Sequence, residues 1–132
     1  MAIKRDAADT WFSKCVRLRA GWKCEHTGRQ FTPSDSGLHC AHIYGRRNKS
    51  TRWDMDNAVS LSASSHRYFT ENPVEFFHWL DAHLGEGHME VLSQKRNTIL
   101  KTTKAIRSEI AAHYRQEYRQ AEQDENYKIV SY

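Results

Sequence analysis

LHCAHIYGRRNKSTRWDMDNAVSLSASSHRYF, residues Leu38 to Phe69, is the stretch whose reading decides the fold. It opens with a short mixed apolar run, Leu38 to Tyr44, and continues through a polar and basic span, Gly45 to Asp56. A second apolar run, Ala58 to Leu61, is followed by Ser62-Ala63-Ser64-Ser65. The two runs have the length and composition of strands, and serine ahead of a helical pattern is a strong N-cap signal. The stretch therefore predicts a hairpin with a long basic loop, closed by a helix that carries His66 in its first turn.

Outward from this core the pattern is helical. From Asp6 to Ala20 the apolar positions Ala8, Trp11, Phe12, Cys15 and Leu18 recur at amphipathic spacing, and Gly21 ends the run. Asn72-Pro73 opens a further helix whose stripe is Phe76, Phe77, Leu80 and Leu84, ended by Gly85, and a short helical run follows over His88 to Ser93. From Thr103 to Gln123, Ile106, Ile110, Tyr114, Tyr118 and Ala121 mark a long helix, with a polar half expected to project as an arm or to pair with a second subunit. The expected class is α+β: one mainly helical domain over residues 1–123, with its motif core at 38–70, an N-terminal helix at 6–20 and a C-terminal helix at 103–123. Residues 124–132 read as a flexible tail.

A chain of 132 residues suits one domain. Hydrophobic residues at 39% and charged residues at 27% exclude a disordered chain. The formal charge of +4 says less than its distribution. Arg46, Arg47, Lys49 and Arg52 fall in the basic loop with no acid before Asp54, and Lys95, Arg96, Lys101, Lys104 and Arg107 form a second group. Both groups are expected to touch phosphates, by backbone and shape rather than by sequence. Three cysteines, an odd number, with no apolar leader ahead of them, point to reduced thiols in a cytoplasm, and no apolar run has the length of a membrane span.

The stretch also carries chemistry, in the order His42, Asn57, His66. Cutting a phosphodiester with one metal ion needs a base near neutral pH, an acceptor that fixes the tautomer of that base, and a ligand for the cation. His42 suits the first role, Asn57 the second and His66 the third.

Residues 38–70 resemble the ββα-metal, or HNH, nuclease motif. More narrowly, Cys24-Glu25-His26-Thr27-Gly28, the Ala41-His42 pair, Arg52 before Asp56-Asn57, and Asn72-Pro73 resemble the phage recombination endonucleases of the NinG, or Rap, family. The resemblance implies a metal-dependent DNA endonuclease, working in a bacterial host cytoplasm, that leaves 5′-phosphate and 3′-hydroxyl ends on branched recombination intermediates. Magnesium or manganese is the expected cofactor, with zinc or nickel also suited to imidazole ligands. Two departures follow. Relatives carry two C-x-x-C knuckles for a structural zinc, whereas this chain has Cys24-x-x-Thr27 and Ser62-x-x-Ser65, so no structural zinc is expected. Many place Asp or His where Ala41 stands, and NinG-like chains place Asp at the position of His39, which makes His39 a second metal ligand. The competing readings are a DNA-binding module with a degenerate HNH fold that does not cleave, and an assembly accessory using the long C-terminal helix.

Overall fold

Asp6 starts the first helix by a reciprocal cap: its carboxylate accepts the Asp9 N–H at 3.0 Å, and the Asp9 carboxylate accepts the Asp6 N–H at 3.0 Å. The computed structural model describes residues 4–98 and 100–132. Helix α1 spans Ala7–Arg19 and ends in a turn where Gly21 (φ 67°) and Trp22 (φ 59°) both take left-handed conformations. Strands β1 (Leu38–His42) and β2 (Ala58–Ser62) pair antiparallel, with His42 opposite Ala58 and Leu38 opposite Ser62. The basic loop between them is partly ordered, by a one-turn helix α2 (Lys49–Arg52) and a 3₁₀ turn over Met55–Asn57.

Ser62 caps α3 (Ala63–Glu71), its hydroxyl accepting the Ser65 N–H at 3.2 Å. Pro73 opens α4 (Pro73–Leu84), and Gly85 at φ 92° turns the chain into α5 (Glu86–Arg96), which is longer at both ends than the run expected at His88 to Ser93. Thr103 caps α6 (Lys104–Gln123). The fold is an α+β single domain with a small two-stranded sheet and a long C-terminal helix. Among the described residues no helix is long and apolar enough to cross a membrane.

The hairpin separates two apolar clusters. Val59, Leu61 and Ala41 pack with Phe69, Phe76, Leu80, Met89 and Leu92 of α3, α4 and α5. Ala58 and the half-buried Cys40 pack with Phe12, Cys15 and Val16 of α1 and with Ile110 and Tyr114 of α6. The Ile106-Ile110-Tyr114-Tyr118 stripe is therefore spent on α1 and not on a projecting arm. None of the large exposed hydrophobics among the described residues lies on α6, which gives no support to pairing through it.

The tail corrects a second expectation, because residues 124–132 fold back along α6. Buried Glu117 accepts the Tyr127 hydroxyl at 2.7 Å and the Val130 N–H at 2.7 Å, and the Ser131 hydroxyl accepts the Met55 N–H at 2.9 Å. Ile129 joins the α1–α6 cluster. Polar sequence gave no apolar period to read there, yet one buried carboxylate supplies the anchor.

Candidate active site

Successive residues of a strand leave opposite faces, so His39 and His42, an odd number of positions apart, diverge from β1. His39 turns toward α3, where its Nδ1 lies 3.0 Å from Nδ1 of His66. His42 turns toward α1 and stacks on Phe12, ring centroids 5.6 Å apart. His66 joins the two sides. It borders one cavity of about 240 Å³ with His39, Arg67 and Glu71, and a second of about 250 Å³ with His42, Arg46, Arg5 and Asp9. His66 is thus the one of the three that borders both cavities.

His42 is held by a main-chain carbonyl. Its Nε2 lies 3.0 Å from the Arg52 oxygen, and since a carbonyl only accepts, Nε2 carries the proton and Nδ1 the lone pair of the neutral ring. Burial pushes its pKa below the ordinary histidine value, against the opposing pull of that carbonyl and of Asp9. Burial, then the neighbouring His39, pushes His66 down as well. In both rings the shift favours the neutral form.

Asn57 has a different task from the one its spacing implied. Fully buried, it accepts the Tyr44 N–H at 2.9 Å through Oδ1 and donates through Nδ2 to the Tyr44 and Thr51 carbonyls at 2.9 and 3.0 Å. It therefore ties the two ends of the basic loop together and sets the path of Arg52, whose carbonyl orients His42. Asn57 is linked to His42 through the backbone of this loop and not by direct contact.

Arg52 is the second correction. It is 4% exposed and forms a two-pronged pair with Asp9, Nη2 to Oδ2 at 2.6 Å and Nε to Oδ1 at 3.0 Å, with the Trp53 indole donating to the same carboxylate at 3.1 Å. It faces no solvent phosphate. Of its loop neighbours, Arg47 and Lys49 are exposed, while Arg46 lines the His42 cavity with its Nη1 buried and, among the described residues, without a hydrogen-bond partner. A buried guanidinium nitrogen without a protein partner is suited to an anion. Arg5 and Asp9 also border this cavity, and loop-centred reading missed them. Asp9 left a trace in the sequence: an acid beside the apolar positions Ala8 and Phe12 needs a buried partner.

The altered knuckle positions meet in space. The Cys24 Sγ lies 3.6 Å from the Ser62 hydroxyl and 3.7 Å from that of Ser65, which in turn bonds His26 Nδ1 at 2.9 Å. Burial opposes ionisation of the Cys24 thiol, but hydrogen bonds from Ser62 and Thr27 outweigh it and pull the pKa down to about 6. One sulfur with three hydroxyls is a poor donor set for tetrahedral zinc. Among the described residues no three of His, Cys, Asp and Glu gather as a metal-binding group, and the His39–His66 pair would offer an ion two nitrogen donors. Two nitrogens bound to one ion at about 2.1 Å sit about 3.0–3.4 Å apart, and the pair meets that condition.

No family model, curated protein or solved structure matches the chain.

Proposed function

We propose that the chain is a metal-dependent DNA endonuclease of the ββα-metal (HNH) type. His42 Nδ1 accepts the proton of the attacking water, Arg46 binds a phosphate oxygen in the cavity it shares with His42, and Arg47 and Lys49 contact flanking phosphates. His39 and His66 would hold a divalent ion, which would supply charge neutralisation at the phosphate and the leaving oxygen. Asn57 and the Asp9–Arg52 pair hold the loop whose carbonyl orients the base. The observation that carries this reading is the placement of a neutral, carbonyl-oriented His42, an unpartnered guanidinium nitrogen and His66 in one cavity wall. By analogy with the NinG family, branched DNA cut to 5′-phosphate and 3′-hydroxyl ends is the substrate to try.

Cleavage of linear, supercoiled and four-way-junction DNA with manganese or magnesium tests it. His42→Ala is expected to slow cutting by about 10²–10⁴-fold, the usual contribution of a general base. Cutting that persists unchanged in this variant rules the mechanism out. A second reading, a DNA-binding module that does not cleave, draws on the two-imidazole metal pair, which lacks a carboxylate, and on the buried Ala41 before the base. Binding without metal-stimulated cutting favours it.

A further inference from the structure

A larger cleft adjoins the His42 cavity. It lies between the start of α1 and the first half of α6, has a volume of about 670 Å³, and is walled by Lys4, Arg5, Lys104, Arg107 and Arg115. Its one acid, Asp6, sits 3.9 Å from Arg107. Five cations against one carboxylate leave an excess of four, equal to the formal net charge of the entire chain. Concentrating that excess in one concavity is unlike a solvated charged face, where the signs intersperse. The Lys4, Arg5, Lys104 and Arg115 side chains are exposed, so they are not committed to packing.

Two further features give the cleft a shape. Ala7, Ala8, Ala111 and Ala112 line it, so small side chains leave the space between the helices open. Trp11 presents a half-buried indole to the same space, held in place by the Lys14 ammonium 4.6 Å from its ring centroid and by the edge of Tyr118. Arg5 borders both this cleft and the His42 cavity, which makes the positive surface continuous from one to the other.

We infer that this cleft binds an unpaired nucleic-acid strand leading away from the His42 cavity, with Arg5, Lys104, Arg107 and Arg115 on its phosphates and Trp11 against a base. A duplex keeps its bases stacked inside and offers a convex row of phosphates, whereas a concave basic channel with an aromatic wall matches a strand whose bases are free to stack. The inference rests on the nuclease reading for the direction of the strand, and adds a substrate class to it: DNA with a single-stranded arm.

The test is binding in chelator, where nothing is cut. Fluorescence anisotropy compares a labelled single strand, a blunt duplex and a duplex with a single-stranded arm, for the native chain and for Lys104→Glu/Arg115→Glu. The native chain is expected to prefer the two substrates with unpaired DNA. The double variant should lose about tenfold or more on these, with a shallower salt dependence by about 0.7 per phosphate contact removed. Trp11→Phe should lose part of the fluorescence quenching that the native chain shows on binding a single strand. If charge reversal disturbs folding by circular dichroism, Lys104→Gln/Arg115→Gln gives the same comparison with a smaller loss. Equal binding of blunt duplex, or variants that bind as the native chain does, overturns the proposal. Because the assay needs no catalysis, failure of cutting leaves this result intact, and failure here leaves cutting of blunt duplex as it was.

Discussion

The Asp9–Arg52 pair shows how a residue suited to phosphate becomes a residue of the core. Both side chains are nearly inaccessible, 3% and 5% exposed, so neither charge is tolerable alone. Asp9→Ala is expected to cost about 3–5 kcal/mol, read as a lower urea midpoint at unchanged slope. The pair also writes a pH dependence. Burial pushes the Asp9 carboxyl up, but the Arg52 guanidinium and the Asp6 N–H outweigh it and hold the pKa below the ordinary range. The stability this supplies is present above the unfolded value of about 3.9 and is lost as pH falls below it. His42 has the opposite charge type and an earlier window. With its folded pKa below the unfolded value of about 6.5, the unfolded chain takes up the proton first, so stability declines as pH drops below about 6.5. Melting temperature against pH should therefore fall in two steps. His66, also lowered, shares the upper step, so His42→Gln should flatten part of it and His42→Gln/His66→Gln more; an unchanged profile in both variants would assign the step elsewhere.

At the scale of elements, the tail and the basic loop are the places where local pattern and structure part. Removing residues 124–132 takes both donors from Glu117 and a contact from the buried Tyr114, whose hydroxyl accepts the Tyr132 N–H at 3.2 Å. The truncation is expected to lower stability by about 1–3 kcal/mol, the range for stranding a buried polar group, measured by thermal unfolding. A truncated chain as stable as the full one would mean that the tail only rests on α6. Helices α1, α4 and α6 were legible because their apolar residues recur at helical spacing, and the hairpin because two short apolar runs flank a polar span. That His42 and His66 approach one cavity was legible because one stands at a strand end and the other at a helix start. What the pattern could not carry was side-chain partnership across the chain. Arg52 meets Asp9, which lies 43 positions away, and Asn57 reaches the backbone of Tyr44 rather than the imidazole of His42. In both cases residue type announced a strong hydrogen-bonding group, while only the fold decides which partner it finds.

Across the whole molecule the candidate site is assembled from both sides of the hairpin, so metal binding there would be linked to global unfolding. His66 belongs to the half built on α3, α4 and α5, His42 rests on Phe12 of α1, and His39 bridges to His66 from the strand between them. An ion held by His39 and His66, as proposed, would bind the native chain and not the unfolded one, because unfolding separates the two residues, 27 positions apart. The expected outcome is a rise in melting temperature with added manganese or nickel, reversed by chelator, worth about 2.7 kcal/mol at 100 times the dissociation constant. His66→Ala and His39→Ala should abolish the rise. His42→Ala should keep it, because the base is not a ligand, although this variant is the one that loses cutting. A metal-induced rise that survives His66→Ala would place the ion elsewhere. A rise lost in His42→Ala as well would mean that the third histidine binds the ion instead of activating water, and the assignment of base and ligand would have to be reversed.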